Sequence, residues 1–332
     1  MVQTTATRTR LRILSGVQPS GKLHLGNYFG AIKQHIELQE EGECFYFIAD
    51  LHALTTIQNA EELQANVRDV ALDYLALGLD PNKTVFFRQS DVPEVTELAW
   101  IFSTVTGMGL LERAHSYKDK VARGLPASVG LFFYPVLMAA DILIYRSHLV
   151  PVGQDQVQHI EITRDIAGYF NRTYGEIFPL PEYRLGQAPV VPGLDGKKMS
   201  KSYGNTIEIF AEGNELKKRV MSIVTDSTPL EAPKDPDKCT VFKLYSLFAT
   251  PQEQQQLAEK YRAGGFGYGQ AKQMLYEKIE QYFAAARQRR RQLAREPGLV
   301  EEILRRGAER ARSEARTTMA LVRRAVGLNP PP

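Results

Sequence analysis

The run Cys44–Ala49 (Cys-Phe-Tyr-Phe-Ile-Ala) constrains this chain more than any other feature. It is continuously apolar, too short for a helix, and lacks the alternation of a half-exposed strand. Such a run fits a strand buried on both faces of a parallel sheet. Its surroundings agree. Leu11–Leu14 is strand-like and ends at the turn Ser15-Gly16, and a helical pattern runs from about Asn27 to Gln39. A helix is expected over Ala60–Leu77, closed by Gly78, followed by the strand-like Thr84–Phe87. Parallel strands need long crossovers, so strands alternating with helices of this length predict an α/β fold with right-handed connections.

From Val92 to Phe170 helical patterns dominate, with breaks expected at Pro126, Pro135 and Pro151. One strand candidate interrupts them, Leu149–Val152, ending at Gly153. The stretch Phe178–Gly196 carries four prolines and reads as a loop. Beyond Ile207 strand signals fade and the chain reads as all-helical. Its clearest helix carries Val300, Leu304, Ala308, Ala311, Ala315, Met319, Val322 and Val326 at steps of three and four, one apolar stripe. Pro297 suits its start, and Gly327 and Pro330 its end. Two domains are expected. Residues 1–205 form the α/β part with a helical insertion at about 93–145, and residues 206–332 form a helical part. The last helix is a candidate to pack back on the first domain, and the boundary is placed near Tyr203–Gly213.

No 18-residue apolar run exists, so no membrane-spanning helix is expected. Met1–Arg12 is polar, lacks an apolar core, and reads as a short disordered lead-in rather than a secretory signal. The two cysteines, Cys44 and Cys239, have no metal-ligand spacing, and a reducing cytoplasm is the natural compartment. Net charge is only +3, yet Arg287 to Arg324 holds twelve arginines and no lysine. That basic end fits a polyanion partner or, equally, a solvated helix surface.

Two remote segments carry chemistry. Gly16–Gly30 leads from a strand through a Pro/Gly loop into a helix opening at Gly26-Asn27, where amides can bind anions and a bare glycine lets a phosphate approach. His24 and Asn27 can donate hydrogen bonds there. Taken alone, the segment also reads as a plain strand-to-helix connector. The second, Lys198-Met199-Ser200-Lys201-Ser202, sets two cations beside two hydroxyls after the flexible Pro192–Gly196. Such a loop can close over a triphosphate and stabilise departing pyrophosphate. Asp141 is the one carboxylate in the otherwise apolar Phe132–Tyr145, so burial would demand a dedicated donor. An indole N–H or a tyrosine phenol would serve, as would a backbone amide or Arg146.

These residues resemble a known family. Pro19-Ser20-Gly21 with His24-Leu25-Gly26-Asn27, and the 198–202 segment, are similar to the two ATP motifs of class I aminoacyl-tRNA synthetases. Gly16–Gly21, Gly26-Asn27-Tyr28, Ala49–Thr55, Met138–Tyr145 and Val152–Gln156 resemble the bacterial tryptophanyl branch, and the likeness spans roughly Arg12 to Leu328. It implies a Rossmann-like parallel sheet with helices on both faces and a C-terminal all-helical, anticodon-binding domain. It implies attachment of L-tryptophan to tRNA(Trp) through an adenylate, with ATP carrying Mg²⁺, in a homodimer whose interface lies near Pro93–Tyr145. His24, Lys198 and Lys201 take catalytic roles by that resemblance. Gln18, Pro19, Ser20, Gly26, Asn27, Gly153, Gln154, Asp155, Val191 and residues Lys198, Met199, Ser200, Lys201 and Ser202 take ATP, and Lys120 is a further phosphate candidate. Asp141, Gln18, Tyr134, Met138, Val152 and Gln156 take tryptophan, with Asp141 on the indole N–H. No resident metal ligand set is expected. A tyrosyl-specific synthetase, a small nucleotidyltransferase and a catalytically retired paralogue are the alternatives. Three features are set aside: His159-Ile160-Glu161 as helix surface or cap, His52 as a loop stabiliser, and Trp100 as core or subunit contact.

Overall fold

The computed structural model describes residues 11–114, 124, 128–186 and 190–329, with Asp155 described by its backbone alone. Lys120, the expected break at Pro126, the lead-in at 1–10 and Pro330 lie outside the described residues. Two compact units emerge, one of residues 1–21, 34–186 and 296–332, the other of 22–33 and 187–295. These units do not coincide with the functional division expected at 205/206.

The first unit is built on five parallel strands: β1 (Arg12–Val17), β2 (Glu43–Ile48), β3 (Thr84–Arg88), β4 (Leu149–Val152) and β5 (Glu182–Leu185). Their order is β3-β2-β1-β4-β5. Leu14 pairs with Phe45 and Phe45 with Val85, so the apolar run of β2 sits mid-sheet with Cys44 to Ile48 buried. Each large side chain fully buried there contributes roughly 1.5–3 kcal/mol. The sheet is flanked by helices. Ala60–Leu77 starts where the Asn59 side chain accepts the Glu62 N–H and stops at Gly78, whose φ of 116° suits only glycine. Val129–Ile144 and Val157–Tyr174 pack together, burying Val136, Ala139, Leu143 and Phe170 in the core.

Three expectations change here. Pro135 does not break its helix but lies inside Val129–Ile144, buried, where only one backbone N–H is forfeited. The proline-rich stretch after Phe178 contains β5, whose four residues are mostly exposed and too few to stand out as a strand; edge pairing to β4 makes it one. Trp100 is 70% exposed and so is not core.

The last helix, Pro297–Ala325, buries Val300, Leu304, Ala308, Ala311, Ala315, Met319 and Val322 and packs on β3 within this unit. A Cβ at Gly307 would stand 1.8 Å from the Phe86 carbonyl oxygen, so only glycine allows that approach. Ion pairs from Arg312 and Arg316 to Glu94, and from Arg323 to Glu97, tie the same helix to the helix Glu94–Ser103.

Because β1 connects toward β2 on one side while β4 lies on its other side, the β1/β4 boundary is where the strand order reverses. In open α/β sheets ligands bind outside the carboxyl ends at such a point. The loops leaving those ends are Gln18–Gly21 and Gly153–Gln156.

In the second unit Leu25–Asn27 passes through a π-helical turn, Tyr28–Ile32. Its other helices are Gly213–Met221, Thr240–Ser246, Pro251–Ala263 and Tyr268–Ala294. Tyr28 stacks edge-on to Phe283 at 5.0 Å, and Phe29 to Phe248 at 5.2 Å. Leu25 donates to the Ile207 carbonyl and Ile209 to that of Leu23, which ties 22–33 to this unit.

Candidate active site

At the carboxyl ends of the strands in the first unit, Asp141 is 2% exposed near the end of its helix. His52 Nε2 lies 2.8 Å from Oδ2, and Gln89 Nε2 donates to Oδ1 at 2.8 Å and to Oδ2 at 2.9 Å. Burial raises the Asp141 pKa, and the bonds from His52 and Gln89 act the other way. Among the described residues, neither Arg146 nor a backbone amide fills that place. His52, expected only to stabilise its loop, is a direct partner of the carboxylate. Gln89 was missed altogether: it sits just past β3, and only the sheet register brings that position beside the loop after β2.

Tyr134, from the same helix as Asp141, shares a 3.0 Å hydrogen bond with His159 Nε2, and its ring meets His52 edge-on at 6.2 Å. His159 is 4% exposed, so it is not helix surface as expected; its helix, Val157–Tyr174, turns it inward. Met138 and Val152 are half-buried against the same core. Gln18 and Ser20 are exposed and Pro19 buried in the loop after β1, and Gly153 and Gln154 are exposed in the loop after β4. Gln156 ends a 3₁₀ turn there, half-buried, its N–H bonded to the Gly153 carbonyl at 3.0 Å.

The second unit brings together the other motifs. His24 caps the Leu25–Asn27 turn, and its N–H donates to Asn27 Oδ1 at 3.0 Å, which leaves the Asn27 amide as a donor. Burial lowers the His24 pKa to about 4, with the positive charge of Lys201 adding to the effect. His24 is therefore neutral at neutral pH. Its buried Nδ1 has no hydrogen-bond partner among the described residues. A Cβ at Gly26 would come within 3.0 Å of that ring and 3.4 Å of Met199 Cβ, so the glycine keeps the space between the two motifs clear.

Met199 is buried and its N–H donates to the Val191 carbonyl at 2.9 Å, while Lys198 and Ser202 are exposed and Ser200 and Lys201 half-buried. The 198–202 loop is held by a residue the sequence reading passed over. Asn205, 3% exposed, accepts the Ser200 N–H at 2.8 Å and donates to the Lys198 carbonyl and Asp195. Ser200 and Ser202 hydroxyls lie 2.9 Å apart. A neutral donor, two cations and a clear glycine gap form a set suited to phosphate oxygens.

A parallel sheet with a switch point and a buried acid at its carboxyl edge has the make-up of an α/β nucleotide-binding core. The chain belongs to the class I tRNA synthetases of the tryptophan and tyrosine group, whose family model it matches over residues 6–284. It is 57% identical over 319 residues to the tryptophan–tRNA ligase of Rhodopirellula baltica, covering 96% of this chain and all of that one. The crystal structure of tryptophanyl-tRNA synthetase from Campylobacter jejuni, complexed with ADP and tryptophan, is similar with a TM-score of 0.92 and 54% identity, covering 96% of this chain and 100% of that one. A tyrosyl-tRNA synthetase from Archaeoglobus fulgidus shares the fold at 22% identity, covering 86% and 91% of the two chains, with a TM-score of 0.66.

Proposed function

We propose that the chain is an ATP-dependent tryptophan–tRNA ligase that acts through a tryptophanyl-adenylate. The tryptophan carboxylate attacks the α-phosphate of ATP and pyrophosphate leaves; the terminal tRNA hydroxyl then attacks the activated carbonyl and AMP leaves. Positioning and charge stabilisation carry both steps, with no nucleophilic side chain required. The tryptophan relatives carry the choice of amino acid, and one observation shows how a ring donor would be read. Asp141 is buried, its Oδ2 already takes two hydrogen bonds and its Oδ1 one, so a single acceptor direction remains for a donor-only ring N–H.

Met138 and Val152 are proposed to flank the indole, and Gln18, Tyr134 and Gln156 to hold the amino and carboxylate ends. For ATP, the first unit offers Gln18, Pro19, Ser20, Gly153, Gln154 and Asp155. The second offers Val191, Gly26, Asn27 and the 198–202 loop, with His24, Lys198 and Lys201 on the phosphates. Among the described residues no group of three His, Cys, Asp or Glu is placed to hold a metal. Mg²⁺ is proposed as the ion carried by the ATP phosphates.

tRNA(Trp) is proposed to meet the helical residues of 206–332. Arg287, Arg291, Arg305, Arg312, Arg316 and Arg323 are already engaged by carboxylates of the chain, so fewer cations face RNA than the sequence count suggested. A homodimer is proposed through the helical insertion. Trp100, Met108 and Val129 are exposed there, beside a cavity of about 390 Å³ lined by Met108, Val129, Phe132, Phe133 and Val136. No helix among the described residues is long and apolar enough to cross a membrane. A cytoplasmic setting is proposed on the two buried free thiols, Cys44 and Cys239.

Amino-acid-dependent exchange of pyrophosphate into ATP tests the function. L-Tryptophan should drive exchange, and L-tyrosine should not at equal concentration. Exchange driven by tyrosine would favour the tyrosyl reading, and none at all with any amino acid would favour a retired paralogue.

A further inference from the structure

Gln89 is 1% exposed and spends its whole carboxamide on three neighbours. Its Oε1 accepts the backbone N–H of Leu51 at 3.2 Å and of His52 at 3.3 Å. Those amides can only donate, so they dictate which end of the carboxamide faces them. The Nε2 group must then face Asp141, where it reaches both oxygens. The clasp is reciprocal: Asp50 accepts the Ser90 N–H at 3.0 Å and the Ser90 hydroxyl. The ends of β2 and β3 are thereby locked, and Gln89 has no second orientation that keeps its bonds.

We infer that Gln89 is a positioning residue for substrate choice, holding Asp141 as an acceptor-only reader of the amino-acid ring N–H. This rests on the proposed assignment of Asp141 to the indole. Without a fixed donor on both oxygens, the carboxylate could turn about its own axis, and burial would favour its protonated form. A protonated carboxyl can donate as well as accept, and so no longer rejects a ring that lacks an N–H. The titratable groups that face Asp141 are His52, the nearby Asp50, and Tyr145, whose hydroxyl pKa is raised by burial and by the Asp141 charge.

The readout is a ratio: kcat/KM in pyrophosphate exchange for L-tryptophan over that for β-(benzothien-3-yl)-L-alanine, which carries sulfur in place of the ring N–H. The native enzyme should favour tryptophan by about 30- to 1,000-fold, the range expected when a buried charged acceptor loses its one donor. Asp141→Ala should abolish the preference. Gln89→Met, similar in volume, should cut it at least about tenfold, with the loss falling on the KM for tryptophan more than on kcat. Gln89→Glu keeps the acceptor for Leu51 and His52 but donates only when protonated. Its preference should therefore be lost at pH 9 and regained near pH 6, and a purely structural role for Gln89 would give no such pH response. Should the Met variant fail to fold, the Glu variant carries the test alone.

A native ratio near one would overturn both the inference and the reading of Asp141. If the native enzyme discriminates and Asp141→Ala does not, while Gln89→Glu keeps the native ratio at pH 9, the inference about Gln89 alone is overturned.

Discussion

Lys201 sits half-buried close enough to lower the His24 pKa, and this pairing of a cation with a neutral imidazole fixes what each can do. A lysine that acts on departing pyrophosphate helps the transition state more than the bound amino acid. Lys201→Ala should therefore slow tryptophan-dependent pyrophosphate exchange by roughly 10²–10³-fold, the cost of removing one preorganised donor. Tryptophan affinity, read by equilibrium titration, should stay within a few-fold of native. An unchanged exchange rate would remove Lys201 from the chemistry. At this scale the sequence spoke unevenly. Asp141 stood out as an isolated acid in an apolar helix, and the lysine-serine loop as a compact motif. His52, Gln89, His159 and Asn205 did not, because each acts through a partner remote in sequence: 89, 52, 25 and up to ten residues away. A lone polar residue after a strand carries no local mark of such a partner.

Among the elements, the strands buried on both faces and the helix Ala60–Leu77 were legible because apolar runs, an Asn cap and a terminal glycine are local signals. Strand β5 was not, since four mostly exposed residues at a sheet edge are too few to stand out. The final helix was legible as a stripe, but the reason for Gly307 was not. Glycine inside a helix costs about 1 kcal/mol relative to alanine, yet here it admits the Phe86 carbonyl of β3. Gly307→Ala should consequently destabilise the protein by about 1–3 kcal/mol despite the better helix former, as overpacking does. Urea unfolding should show a lower midpoint with an unchanged slope. A stabilised variant would mean that this helix does not press on β3.

For the molecule as a whole, the sequence showed an α/β sheet followed by helices but not how the chain divides. Residues 22–33 fold with 187–295, and the last helix with the first unit, through long-range bonds such as Leu25 to Ile207 and Arg12 to Glu314. Nothing local in residues 22–33 announces that exchange. Global stability also carries a testable acid dependence. His35 is buried between the Ser15 and Tyr74 hydroxyls, at 3.0 and 3.1 Å, and burial lowers its pKa to about 4. The unfolded chain binds a proton at this residue with a pKa near 6.5. Between these values the unfolded state holds more protons, so stability is full above pH 6.5 and falls as pH drops toward 4. His35 should account for about 2–3 kcal/mol of loss between pH 7.5 and 4.5. Urea titrations of native protein and His35→Gln should differ in that slope, the variant being flatter; equal slopes would place the acid sensitivity elsewhere.

Specificity at Asp141 is the claim on which the functional reading depends, and a crystal structure of this protein with L-tryptophan examines it most directly. The indole nitrogen should lie about 2.7–3.2 Å from Asp141 Oδ1, with Gln89 and His52 still bonded to the carboxylate. An indole nitrogen pointed away from Asp141, or bonded to another acceptor, would contradict the account.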